Sequence, residues 1–137
     1  MLTLVPRHPS NNPSLPNGIY DAVIKYVTHG EYANDSHYVS FVFWLPDQGK
    51  HLVTNFYFPN GQSIKTQQRL WNLCAMVGLE LVDVLEEPKR FEDRRLKIKT
   101  RKVDPVDSDA SRSYSDVALF LPAQIEDPVS RAESVSI

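Results

Sequence analysis

Arg95, Lys97, Lys99 and Arg101 place four cations at alternate positions with no acidic residue on the same face between them. In an extended chain alternate side chains share one face and stand ~6.6 Å apart. That spacing is comparable with phosphates along an extended nucleic-acid strand. A solvated strand face ordinarily mixes signs, so the run favours a polyanion over plain exposure. Lys89, Arg90, Arg94 and Lys102 extend the basic stretch, with Lys25 and Tyr114 as weaker candidates. A second set is aromatic: Tyr38, Trp44 and Tyr57. Unpaired bases stack on such rings, each at ~1–3 kcal/mol. The competing reading of the same rings is a face packed against a second subunit, or beneath the N-terminal segment.

Other chemistries find less support. The histidines are His8, His29, His37 and His51, and Cys74 is the single cysteine. No zinc-ligand spacing joins them. Asp104, Asp107 and Asp109 lack the glycine and closing glutamate of a calcium loop. Glu87-Pro88-Lys89 has the Glu-x-Lys form of some nucleases, but its central proline argues against a strand. There is no phosphate-cradling glycine loop and no nucleophile elbow. The expectation is a binding protein with no catalytic residue, no metal and no cofactor.

The elements that must carry these residues follow from periodicity. From Tyr20 to Val27 the chain is β-branched and aromatic, with Tyr20, Ala22, Ile24 and Tyr26 on one face and Asp21, Val23, Lys25 and Val27 on the other. A polar loop, residues 29–37, follows. Tyr38–Leu45 and Leu52–Phe58 form a hairpin about a six-residue turn. Pairing Leu45 with Leu52, Phe43 with Thr54, Phe41 with Phe56 and Val39 with Phe58 makes one face apolar. A one-residue shift would bury Asn55 and His51. Tyr38, Trp44 and Tyr57 then lie on the outer face. Ser63 is placed as an N-cap for a helix over Ile64–Val77, whose Leu70, Leu73, Cys74 and Val77 form the apolar stripe. Gly78 suits the C′ position, with Leu79 folding back. An extended stretch over Leu81–Leu85, a strand from Arg95 to Val103, an acidic loop and a strand from Asp116 to Leu121 complete the order β-β-β-α-β-β.

Size and charge set the bounds. One domain of ordinary size accounts for 137 residues. Residues 1–17, rich in proline, read as a flexible arm; 18–122 as the domain; 123–137 as a loosely ordered tail carrying Glu126, Asp127 and Glu133. The net charge of −2 is unevenly spread. Residues 18–102 carry twelve Lys/Arg against ten Asp/Glu, while residues 103–137 carry two against seven. A basic partner face is therefore compatible with the total. A lone cysteine, no signal-peptide pattern and no membrane-length apolar run give the expectation of a cytoplasmic protein.

The opening Gly18-Ile-Tyr-Asp-Ala-Val-Ile24, the strand Tyr38-Val-Ser-Phe-Val-Phe-Trp44, the helix end Leu73-Cys-Ala-Met-Val-Gly-Leu79 and the charged Phe91–Lys99 together resemble the small OB-fold single-stranded DNA-binding proteins of bacteriophages and mobile elements. Glu92-Asp93-Arg94 stands where that family often has a glycine turn. The resemblance spans residues 18–122. It implies a mostly-β, five-stranded Greek-key barrel with one helix between strands three and four. It also implies single-stranded DNA as partner, with replication or recombination proteins or a second copy of the chain beside it. The alternative is an OB-like interaction or structural module that uses its aromatic face for protein contact.

Overall fold

The computed structural model describes residues 8–33, 36–58, 64–107 and 112–123. Five strands build one antiparallel sheet: β1 (Ile19–Ala33), β2 (Ser36–Leu45), β3 (Lys50–Phe58), β4 (Arg95–Val103) and β5 (Tyr114–Leu121), ordered β3-β2-β1-β4-β5. Between β3 and β4 lie α1 (Ile64–Val77), a short α2 (Leu81–Glu86) and a 3-10 turn, Pro88–Phe91. The fold is thus mostly β with one main helix.

The sheet curls around an aromatic core. Phe41, Phe43, Phe56 and Phe91 are fully buried. Phe56 of β3 and Phe120 of β5 approach to 6.0 Å between ring centroids, although these strands lie at opposite edges of the sheet. No ladder joins β3 to β5 among the described residues, so the sheet does not close into the expected five-stranded Greek-key barrel. Two other devices span that gap. Arg69 of α1 lies over both rings, 5.3 Å from Phe56 and 5.8 Å from Phe120, and donates to the Val117 carbonyl at 3.2 Å. The second device is the N-terminal segment.

That segment corrects the sequence reading. Asn12 is fully buried and Leu15 belongs to the core, so residues 12–15 are packed rather than a bare arm. Proline and asparagine signalled a linker, but a buried amide that satisfies backbone groups has no periodicity to betray it. Residues 1–7 and 124–137 lie outside the described residues.

α1 follows its predicted stripe, with Leu70, Leu73, Cys74 and Val77 buried. Gly78, at φ 75°, and the Leu79 amide bonded to the Cys74 carbonyl at 3.0 Å close it as a Schellman turn. The expected N-cap, Ser63, lies outside the described residues. Leu81–Glu86 is helical where an extended stretch was predicted, because Glu80 and Asp83 form a reciprocal capping box. Six residues are too few to show helical periodicity.

The hairpin register is displaced by two residues from the predicted one. Leu45 pairs with Lys50, Phe43 with Leu52, Phe41 with Thr54 and Val39 with Phe56. The turn is four residues, not six. Both Gln48 and Gly49 donate to the Leu45 carbonyl, and Gly49 takes a left-handed φ of 62°. A two-residue slip preserves which face each side chain occupies, so the predicted inner and outer sets survive.

Candidate nucleic-acid interface

The strand candidates Tyr38, Trp44, Tyr57, Arg95, Lys97, Lys99 and Arg101 share the outer face of the sheet. The Cα pairings across β3, β2, β1 and β4 place His51, Trp44, Val23 and Arg95 in one row. In the next rows along β1, Asp21 faces Lys97 and Ile19 faces Lys99, while Arg101 faces Asp116 on β5. Toward the other end, Tyr57, Tyr38 and Gly30 form a row. Trp44 and Arg95, 51 positions apart in sequence, therefore meet on one surface across Val23.

Each ring is held by its neighbours. Trp44 is half-buried, its ring 4.7 Å from that of His51. Tyr38 and Tyr57 lie 6.2 Å apart, tilted by 45°. Ser40 donates to Asn55 at 2.6 Å, and the Asn55 amide donates to the Tyr57 hydroxyl at 2.9 Å. This relay fixes Tyr57 and leaves its ring 36% exposed.

Sequence reasoning missed two residues here. Tyr26 was grouped on one face with Ala22 and Ile24, but a bulge between Ile24 and Tyr26 reverses the alternation. Tyr26 therefore faces outward, opposite Val42 and 52% exposed, while Val27 turns in against the core. Strict alternation carries no sign of an inserted residue. Gly30 is the second. The segment read as a polar loop continues β1 to Ala33, since backbone pairing with β2 outweighs its polar composition. A Cβ on Gly30 would stand 2.5 Å from the Tyr38 ring. Gly30→Ala is expected to push that ring off its seat by side-chain rotation. Stability should change by less than ~1 kcal/mol, while affinity for a stacking ligand falls about tenfold, one base's worth. Thermal melting and titration of the variant check both parts.

The cations are unequal. Arg95, Lys99 and Arg101 are exposed. Lys97 is half-buried and ion-paired with Asp21. The acid missing from β4 is thus supplied by β1, and the basic row is partly neutralised. Asp116 stands similarly opposite Arg101. Lys25, at the bulge, sits 3.9 Å from Asp93 and adds to the patch beside Trp44. Burial, with the charge of Lys25 second, lowers the His51 pKa and keeps its imidazole neutral at pH 7. Arg90 pairs with Asp83 and Glu87 on the helical side, away from this face. Tyr114 is buried.

Asp93 shapes the turn before β4. It adopts a left-handed φ of 66°, a conformation aspartate tolerates better than most residues. Its amide donates to the Ile24 carbonyl at 2.7 Å, while the Ile24 amide donates to Arg94 at 2.9 Å, anchoring the turn against the bulge.

Elsewhere, Cys74 is buried in the core, and burial with Asp83 nearby pushes its thiol up to about 12, so it stays protonated at neutral pH. His37 and His51 lie at opposite ends of the hairpin. A mostly apolar groove of about 280 Å³ opens at the far end, lined by residues that include Leu70, Val84 and Leu85. Among the described residues no helix is long and apolar enough to cross a membrane. Comparison with known proteins finds no matching family model and no matching curated protein, so the function is read from the site itself.

Proposed function

We propose that the chain is a sequence-tolerant single-stranded DNA-binding protein built on an OB-like, partly open Greek-key barrel. In this reading it binds without turnover, metal or cofactor, in a cytoplasm, and supports replication or recombination, in keeping with the phage-type proteins it resembles. The observation that carries the reading is the row Trp44–Val23–Arg95, which joins a stacking surface to a cationic strand. An OB-like barrel engages oligonucleotides on the face of its second and third strands, the face that here carries Tyr38, Trp44 and Tyr57. Phosphates run along Arg95, Lys99 and Arg101, with Lys97 tempered by Asp21. Bases stack on Trp44, Tyr38 and Tyr57, and on Tyr26.

Protein contact is the second reading, favoured by Ile19 and Leu119, which flank Lys99 in one row and are 52% and 51% exposed. Tryptophan fluorescence separates the two. Trp71 is 66% exposed and emits as well, so the titration uses a Trp71→Phe background. Adding a ~30-nucleotide oligothymidine is expected to quench Trp44 saturably, with recovery on raising salt. Trp44→Ala is expected to weaken binding about ten- to a hundredfold, the worth of one stacked base. Absence of both quenching and a mobility shift at low salt would sink the DNA reading and leave the face to a protein partner.

A further inference from the structure

β1 serves two partners that meet at a single row. β4 pairs with it over Ile19–Val23 and β2 over Val23–Ala33. This stagger sorts the outer face into halves of different chemistry. On one side of the Val23 row stand Tyr26, Tyr38 and Tyr57, and stretches 26–31, 36–44 and 52–58 hold no lysine or arginine. On the other side stand Lys97, Lys99 and Arg101, paired across β1 and β5 with aliphatic and acidic residues alone. Trp44, His51 and Arg95 share the dividing row. Tyr38 and Trp44 are six residues apart on β2, as are Arg95 and Arg101 on β4, ~20 Å in each case. End to end the track is ~40 Å, about six steps of ~6.6 Å.

We propose, taking this face as the DNA-binding surface, that a bound strand is divided along its length: bases at one end stack on the aromatic half, and phosphates at the other meet β4. The ligand class is then a single strand of about six nucleotides or more, within the ~4–16 typical of an OB fold. Bases lying over β4 find no ring to stack on. Phosphates lying over the tyrosines find no lysine or arginine on the strands beneath. Holding every nucleotide alike would take rings and cations in the same rows, and only the dividing row has both.

The test is titration calorimetry of the full-length chain with oligothymidines of about eight nucleotides, across a salt series. One pair of oligomers is split: half keeps its bases on neutral methylphosphonate linkages, and the other half keeps charged phosphates on abasic sugars. The pair are mirror images, so either strand polarity is covered. A control carries both removals in the same half and leaves the other half intact. At least one split oligomer is expected to bind within about threefold of the plain one, and the control about tenfold weaker or more. Split oligomers no tighter than the control would overturn the division while leaving DNA binding in place. Failure of the plain oligomer to bind at low salt would overturn the DNA reading and the division with it. Two exposed residues then assign the halves. Lys99→Ala should flatten the salt slope by ~0.7, whereas Tyr57→Leu should weaken binding about tenfold with the slope unchanged. A flattened slope in Tyr57→Leu, or an unchanged one in Lys99→Ala, would overturn that division of roles.

Discussion

Reversing Arg95 and Lys99 together (R95E/K99E) is expected to weaken oligothymidine binding about a hundredfold at ~0.15 M salt. Each phosphate contact on a single strand contributes ~0.7 to the slope of log affinity against log salt. Removing two contacts should flatten that slope by about 1.4 and cost more than a tenfold loss of affinity at this salt. Two added negative charges within a Debye length of the strand account for the rest. The two residues are selected because both are exposed and stand clear of the ion pair that occupies Lys97. Lys97→Ala should therefore cost less than either single reversal. Asp21→Asn, which releases Lys97, should strengthen binding. Salt titrations of the double reversal, the two single reversals, Lys97→Ala and Asp21→Asn check the set. An unchanged slope in the double reversal would show that these cations do not meet phosphate. Strengthened binding in Lys97→Ala would contradict the pairing with Asp21.

The sequence made the two sides of this surface legible for a simple reason. Strand alternation is decided by parity, and parity survives errors of two residues. The hairpin was displaced by two positions, yet Tyr38, Trp44 and Tyr57 kept their outer face. β4 was bounded correctly because its apolar residues Leu96 and Ile98 alternate with cations. What parity cannot carry is an inserted residue, and the bulge at Lys25 reversed Tyr26 and Val27. Cross-strand neighbours were equally hidden. The β4 cations run free of acids in sequence, but Asp21 and Asp116 reach them from the flanking strands. Asn12 was invisible for a related reason. Its worth lies in three hydrogen bonds to chain segments 41 and 103 residues away. His29–Ala33 looked like loop because its residues are polar, and its pairing partner alone makes it strand.

Beneath the outer face, stability should depend most sharply on Phe41. Its ring is fully buried and meets Phe56 edge-on at 5.6 Å and Phe91 edge-on at 5.5 Å, with Phe43 at 6.3 Å along its own strand. It therefore joins β2 to β3 and to the 3-10 turn that leads into β4. Edge-to-face pairs add to the area a ring buries. Phe41→Ala leaves a cavity walled by three other rings, which belong to separate elements and cannot collapse together. The expected loss is about 3–5 kcal/mol, a large share of the ~5–15 kcal/mol available to a domain. Melting temperature should fall by about 10–20 °C for a chain of this size. Phe41→Leu fills most of the space and should cost less than ~1.5 kcal/mol. Paired with Phe91→Ala in a double-mutant cycle, Phe41→Ala should be less than additive, because either truncation already breaks their contact. Additive losses would mean that the two rings act independently, so that the sheet and the turn before β4 are stabilised separately. The geometry argues against that. The turn seats Asp93 against the bulge and sets where Arg95 begins, so loosening Phe91 through Phe41 should also weaken DNA binding in the folded fraction.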